Sequence, residues 1–341
     1  MKENNLFLNC LLKRKRKFRS LYIIMQSLRH KNFKMSLLVV GTVAFDAIET
    51  PFGKTDKITG GSGNYICHSA GRFINSMNLV SIVGSDFDKE ELKYLQSIGT
   101  NIEGLEIKEG EKSFFWAGKY HLDMNSRDTL ATDLNVLLAF NPILPESYRY
   151  SDYLILGNID PTLQIKVIEQ MAKRPKLIAM DTMNFWMDNT PEPLNKVIGM
   201  VDLLTINDEE ARQLSGEYSL VKAAEKIRAM GPKYLIIKKG ENGALLFHGK
   251  KVFFAPALPL ESVFDPTGAG DTFAGGFMGY LTQTGDLSFE NMKRAVIYGS
   301  AMASFCVEQF GPARLKTVTM PEIHNRVQVF IDLVDFDILL Q

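Results

Sequence analysis

Seven short, almost wholly apolar runs constrain this chain more than anything else in its sequence. They are Leu37 to Val40, Val80 to Val83, Tyr153 to Leu156, Leu177 to Met180, Leu203 to Ile206, Tyr234 to Ile237 and Ala244 to Phe247. A strand wetted on one face alternates apolar with polar residues, whereas a run apolar at nearly every position suits a strand buried on both faces. Between most of the runs lie helical stretches: Glu90 to Ser97, Thr162 to Ala172, Glu192 to Met200, Asp208 to Leu214, Ser219 to Met230 and Met292 to Val307. Strand and helix alternating at this length make βαβ units. The expected class is therefore α/β, a doubly wound, mostly parallel sheet with helices on both faces.

Two stretches break the alternation. Ile48 to Thr59 has period-two character with polar neighbours, and Gly104 to Tyr120 carries Phe114, Phe115, Trp116 and Tyr120. Both read as antiparallel strands with one wet face. They predict a small β-sheet lid with strands over residues 48–60 and 104–122.

Composition narrows the partners. Among 341 residues, 39 Lys and Arg balance 39 Asp and Glu, and 45% are hydrophobic. Those values exclude a wholly basic nucleic-acid binder and a disordered chain. The balance hides an asymmetry, for residues 1–34 hold ten basic side chains against one acid, leaving the other residues at −9. The run Lys13 to Arg19, KRKRKFR, reads as a solvated tail, with a basic targeting or membrane-surface arm as the alternative. Met35 directly precedes the first apolar run, so an upstream start is a third reading, and the folded domain is expected over 35–341. No apolar run approaches the length of a membrane span. Cys10, Cys67 and Cys306 share no metal-type spacing, which fits a reducing cytoplasm and no membrane or nucleic-acid partner.

The chemistry concentrates in Phe264 to Phe277, FDPTGAGDTFAGGF. A Pro-containing turn leads through Gly268, Ala269 and Gly270 into a helix expected to run to Leu281. Bare backbone donors at such a terminus, with its partial positive charge, make an anion site. Asp271 falls in the first turn, where an acid equally serves to stabilise the helix dipole. Gly275 and Gly276 lie inside the helix, each at a cost of about 1 kcal/mol relative to Ala. Something must approach closely there, and a phosphate and an acceptor hydroxyl are the expected occupants.

DPTGAGDTFAGGF resembles the carboxy-terminal signature of the ribokinase-like (PfkB) carbohydrate kinases over more than ten positions, and the likeness extends from about Ser36 to Ile323. It implies a ribokinase-like fold and ATP-dependent phosphoryl transfer to a hydroxyl of a sugar or sugar-like molecule. Asp271 would then be the catalytic base, and the amides of Gly268, Ala269 and Gly270 the anion hole. The resemblance further assigns Asp46, Gly60, Gly61 and Asn64 to the acceptor. Asn207, Glu210, Lys238, Gly240 and Gly243 fall to the nucleotide, with Glu210 holding Mg²⁺ through water. Asp265 and Gly311 match two regions of a monovalent cation site, for K⁺. Taken without the resemblance, Asn207-x-x-Glu210 is equally a helix capping box, Asp46 a turn residue and Lys238 a solvated lysine.

The sequence departs from the family pattern at two places. The hinge G-G-x-x-x-N has Tyr65 at its last position, with Asn64 one residue early. Asp181 and Asn184 resemble a D-x-N segment, but the arginine two residues on is Trp186. Phe114, Trp116 and Tyr120 are expected either to cover the acceptor or to form the buried side of the small sheet, with a homodimer contact through the lid as a further role, and Arg127 to follow in a polar loop. A nucleoside kinase of the same fold is the alternative function, and a non-catalytic sugar- or nucleotide-binding regulator the third. No P-loop, H-E-x-x-H or G-x-S-x-G is present.

Overall fold

The computed structural model describes residues 35–335, so the expectations for the basic tail lie outside the described residues. Strand β1 (Leu37–Val40) lies inside the main sheet, third from one edge, parallel to β5 (Met77–Gly84) on one side and β9 (Tyr153–Leu156) on the other. Beyond β5 lies β6 (Thr100–Lys108). Beyond β9 follow β10 (Leu177–Asp181), β11 (Leu203–Asn207) and β12 (Tyr234–Lys238), all parallel, then antiparallel β13 (Ala244–His248) and β14 (Lys251–Ala255). The nine-stranded order is β14-β13-β12-β11-β10-β9-β1-β5-β6.

The apolar runs follow from this placement. Leu37 and Val39 join one core with Ile66, Phe277 and Val296, from the helices Ser62–Ala70, Ala269–Thr284 and Phe289–Cys306. Leu38 and Val40 face the other way, into a core with Ile165, Leu194, Ala211 and Ile227. Burying each such side chain stabilises the fold by about 1.5–3 kcal/mol, so no position of β1 tolerates a polar residue cheaply.

The chain leaves β1 for β5 and β6, then returns to the opposite side of β1 as β9. Such a reversal opens a crevice at the carboxyl ends of the strands, where α/β sheets bind ligands.

A second sheet holds β2 (Ala44–Thr50), β3 (Gly53–Lys54), β4 (Ile58–Gly60), β7 (Phe115–Tyr120) and β8 (Arg127–Asp133). The lid expected over 104–122 needs correcting in three respects. Residues 104–108 belong to β6 of the main sheet; as an edge strand, β6 has the wet alternation that suggested a lid. The lid strands β2 and β7 pair in parallel, not antiparallel. Arg127 opens β8 rather than a loop; that strand is exposed at six of seven positions and carries no periodic signal.

The helix Ser62–Ala70 was also absent from the sequence pattern, because all nine of its residues are buried and a helix buried all round has no period. Among the described residues no helix is long and apolar enough to cross a membrane.

Candidate active site

Parallel strands end on the same edge, and three chemistry-bearing residues end three adjacent strands. Asp181 closes β10, Asn207 closes β11 and Lys238 closes β12, with Asn207 and Lys238 in register. Lys238 Nζ reaches across to donate to Asp181 Oδ2 at 2.8 Å. Asn207 caps the helix Asp208–Ser215: its Oδ1 accepts from the Glu210 N–H, while Glu210 Oε2 accepts from the Asn207 N–H, both at 2.8 Å. The capping-box reading and the nucleotide reading are therefore compatible. The box fixes one carboxylate oxygen of Glu210 and leaves Oε1 without a protein partner.

The helix Ala269–Thr284 points its amino end at this edge. Gly268 caps it at φ +74°, and the Gly268 and Gly270 N–H groups have no partner within the protein. The Ala269 N–H, by contrast, donates to the Pro266 carbonyl at 3.2 Å. Two of the three amides expected in an anion hole are thus free. A Cβ on Gly270 would stand 3.1 Å from Lys238 Nζ, so the ammonium lies against the helix terminus. Asp271 is pushed up to about 7, chiefly by burial and then by repulsion from Asp181, against the pull of Lys238 and Arg127. Burial and Asp181 lift Glu210 to about 7 as well.

Asp46 stands on the lid strand β2, 5% exposed, raised to about 7 by burial and by the charges of Asp265 and Asp271. Its seat is made by the glycine pair: a Cβ on Gly60 would fall 1.9 Å from Asp46 Oδ2, and one on Gly61 2.5 Å from the Thr42 carbonyl. Asn64 is fully buried with neither amide atom partnered. Asp265 braces a loop, Oδ1 accepting from the Thr267 N–H at 2.8 Å and Oδ2 from the Gly311 N–H at 2.9 Å. Both carboxylate oxygens being engaged by amides, a monovalent cation here would depend on main-chain carbonyls.

The lid lies down on this edge. Thr267 Oγ1 donates to Tyr120 Oη at 3.2 Å, and Arg127, opposite Tyr120 on β8, has its guanidinium 5.6 Å from the Trp116 ring. At the tip, Asn125 Oδ1 is 2.7 Å from where a Gly240 Cβ would be, and Gly243 backs onto the Ala255 carbonyl. The lid therefore spans from the helix terminus to the turn after β12.

Some expectations change at the level of single residues. What approaches Gly275 is the backbone of Ile66, and what approaches Gly276 is Met302. Their smallness serves helix packing rather than a phosphate or a hydroxyl. Trp186 donates Nε1–H to Asn158 Oδ1 at 2.8 Å, a neutral tie where an arginine was the family habit. The Lys238–Asp181 pair and the Asn125–Gly240 approach had no sequence signal, since each joins residues far apart in the chain.

Known proteins share the sequence pattern and the fold. Residues 34–318 match the pfkB family carbohydrate kinase description. A cytidine kinase of Thermococcus kodakarensis is 30% identical over 247 residues, 72% of this chain and 87% of that one. Among solved structures, the Methanocaldococcus jannaschii nucleoside kinase, a member of the ribokinase family, superposes with a TM-score of 0.69 at 23% identity, covering 87% of this chain and all of that one. The Salmonella enterica aminoimidazole riboside kinase, solved with aminoimidazole riboside and an ATP analogue, gives 0.68 at 18% identity, covering 86% and 99%.

Proposed function

Since the chain belongs to the pfkB family of carbohydrate kinases, we propose that it transfers the γ-phosphoryl group of ATP to a hydroxyl of a ribonucleoside, with Asp271 as general base. The kinase class follows from family membership; the nucleoside and the residue roles are our reading. One observation carries that reading: Asp271, lifted to about 7, follows directly on the bare amides of Gly268 and Gly270 and the Lys238 ammonium. A base poised near working pH and fixed donors beside it are what phosphoryl transfer needs, because the chemistry is mostly positioning and charge stabilisation.

The residues present fit a nucleotide with its cation. Asp181 repels both Glu210 and Asp271, and Glu210 Oε1 lacks a protein partner. Among the described residues no group of three or more His, Cys, Asp or Glu side chains is arranged to hold a metal alone. Mg²⁺ suits such a place, since it takes one or two carboxylates and completes its shell with phosphates and water. Bound ATP would supply the phosphoryl group and its cation would screen the phosphate charge. Lys238 and the free amides would hold the transferring group, while Asp46 and Asn64 orient the acceptor. Asp271 would take the proton of the attacking hydroxyl, and the lid would keep out water, the competing nucleophile. Asp265 and Gly311 would carry K⁺ through backbone oxygens.

The nucleoside is preferred over a free sugar because the 30%-identical relative is a cytidine kinase and because the aromatic Trp116 and Tyr120 share one lid face. ADP release measured over cytidine, adenosine, inosine, ribose and fructose tests this. A nucleoside should give the highest kcat/KM. Preference for a free sugar would overturn the nucleoside assignment, and an Asp271→Asn variant that kept most of its turnover would overturn the base.

A further inference from the structure

The chain enters the lid twice, once for β2 to β4 and once for β7 and β8, and a single turn of the main body ties to both halves. That turn runs from Gly84, the last residue of β5, to Phe87. A Cβ on Gly84 would fall 2.2 Å from the Glu111 carbonyl oxygen and 2.6 Å from the Ser113 nitrogen, so the chain bound for β7 passes directly over it. Ser113 is 2% exposed, and each of its polar groups is engaged. Its N–H and its hydroxyl both donate to Asp86 Oδ1, at 2.8 and 2.7 Å. The hydroxyl also accepts from the Gly84 N–H at 3.0 Å, and the Ser113 carbonyl accepts from Nδ2 of Asn135, where the chain leaves β8, at 2.9 Å. The other oxygen of Asp86, Oδ2, accepts from Lys57 Nζ at 3.3 Å, just ahead of β4. That ammonium lies 3.9 Å from the centre of the Phe45 ring in β2, and the same ring stands 5.0 Å from that of Phe87.

Nothing local calls for this carboxylate. The helix Lys89–Ser97 is capped by Asp88, whose Oδ1 accepts from the Glu90 N–H at 2.9 Å, so Asp86 is not its cap. A solvent-exposed ion pair such as Lys57–Asp86 adds little stability by itself. The two bonds from Ser113 are short, end on an ionised oxygen and join residues 27 positions apart. Burial would raise the Asp86 carboxyl, but the Ser113 hydroxyl and amide, and then Lys57, outweigh it and hold it below its ordinary pKa.

From this tie the path to the acceptor side is short. Phe114 follows Ser113, its carbonyl accepts from the Phe45 N–H at 2.9 Å, and the residue after Phe45 is Asp46. We propose, resting on the kinase reading above, that Asp86 is a positioning residue of the reaction: by holding Ser113 and Lys57 it sets where the lid, and Asp46 with it, stands relative to Asp271. Asp86 itself touches no reactant. A displacement of about 1 Å caused far from the chemistry can cost about a hundredfold in rate, and a lid seated out of place admits water as a rival acceptor.

The test compares wild type with Asp86→Ala, Asp86→Asn and Ser113→Ala, measuring both ADP and phosphorylated product with the best acceptor of the panel above. Asp86→Ala should raise KM for that acceptor about tenfold or more, leave KM for ATP within about twofold, and release more ADP than phosphorylated product. Asp86→Asn still offers Ser113 an acceptor oxygen and should bring the acceptor KM back to within about threefold of wild type, with the two products again nearly equal. Ser113→Ala, which loses the hydroxyl alone, should fall between the two. An acceptor KM within about twofold of wild type in Asp86→Ala overturns the proposal, and so does an Asn variant as impaired as the Ala variant. If Asp86→Ala fails to fold, Ser113→Ala decides in its place by the same criterion. A second readout needs no turnover: spin labels at Lys119→Cys of β7 and Glu225→Cys of the helix Leu220–Ala229, both exposed positions, in a Cys10→Ser background with the buried Cys67 and Cys306 left in place. The distance distribution should shift or broaden in Asp86→Ala and return in Asp86→Asn; an unchanged distribution overturns the proposal. Absence of ADP release by wild type on every acceptor would sink the kinase reading instead, and the label distances would still decide whether Asp86 places the lid.

Discussion

Two clusters of buried carboxylates in this molecule behave in opposite ways. Glu91, 1% exposed, accepts from His68 Nε2 at 2.6 Å and from Lys316 Nζ at 2.5 Å. Burial alone would raise its pKa, but these two partners outweigh it and hold the carboxyl at about 2. Burial holds His68 below its ordinary pKa. At the strand ends, burial acts on Asp46, Glu210 and Asp271 in the same direction, and there it wins, lifting all three to about 7. The difference is the supply of counter-charge. Around Glu91 the fold provides it in full; around the site, Lys238 is shared among Asp181, Glu210 and Asp271, and the rest is left for a ligand. At these two places the direction of titration follows the supply of counter-charge.

The contrast breaks most visibly at Asp271. Asp271→Asn should lower turnover about 10³-fold, within the usual range for a lost general base, yet raise the melting temperature at pH 8 by removing an unrelieved buried charge. A melting temperature that fell together with activity would put Asp271 in the same class as Glu91. The reverse substitution comes next. Glu91→Gln should cost about 1–3 kcal/mol in denaturant unfolding, because His68 and Lys316 lose the charged acceptor of their hydrogen bonds, while kcat of the folded fraction stays at the wild-type value. Loss of kcat in proportion to stability would show that the two clusters are coupled.

A smaller effect separates the members of the site cluster. Lys238 opposes the upward shifts of both Asp271 and Glu210. The acid limb of kcat/KM should therefore lie near pH 7 in wild type and move to higher pH in Lys238→Gln; a limb that stays put would remove Lys238 from the electrostatics of the base. The smallest effect is on stability against pH. A carboxyl whose folded pKa is raised costs nothing below its ordinary value and its full amount above the folded value. The melting-temperature advantage of Asp46→Asn over wild type should accordingly be near zero at pH 4 and grow until pH 7. Glu91 works with the opposite sign: its contribution is complete above about 4.5 and is lost as pH falls through about 2.

How much of this was legible in the sequence varied with burial geometry. The seven apolar runs announced their strands because burial on both faces leaves a nearly continuous apolar signal. The strand β8 was hidden for the reverse reason, being exposed nearly throughout, and the helix Ser62–Ala70 because all of it is buried. FDPTGAGDTFAGGF pointed to a helix terminus that does present free amides, since such a terminus is written locally in the sequence. The pairs that tune the site are not local. Lys238 and Asp181 are 57 positions apart, and Lys316 and Glu91 are 225 apart, so only the strand order brings them together. Tyr65 was visible as a departure from a pattern, but the place of its ring against Gly268 was not.

Asp46 belongs to β2, a strand of the lid, and not to the body that carries Asp271. On the proposed reading, whatever Asp46 grips is attached to the smaller sheet. Were that sheet to open in each cycle, letting go of the phosphorylated product and swinging the cover away would be a single event, the speed of the cycle under saturation would be governed by a mechanical step, and an inhibitor that clamps Asp46 would jam the door as well as fill the room.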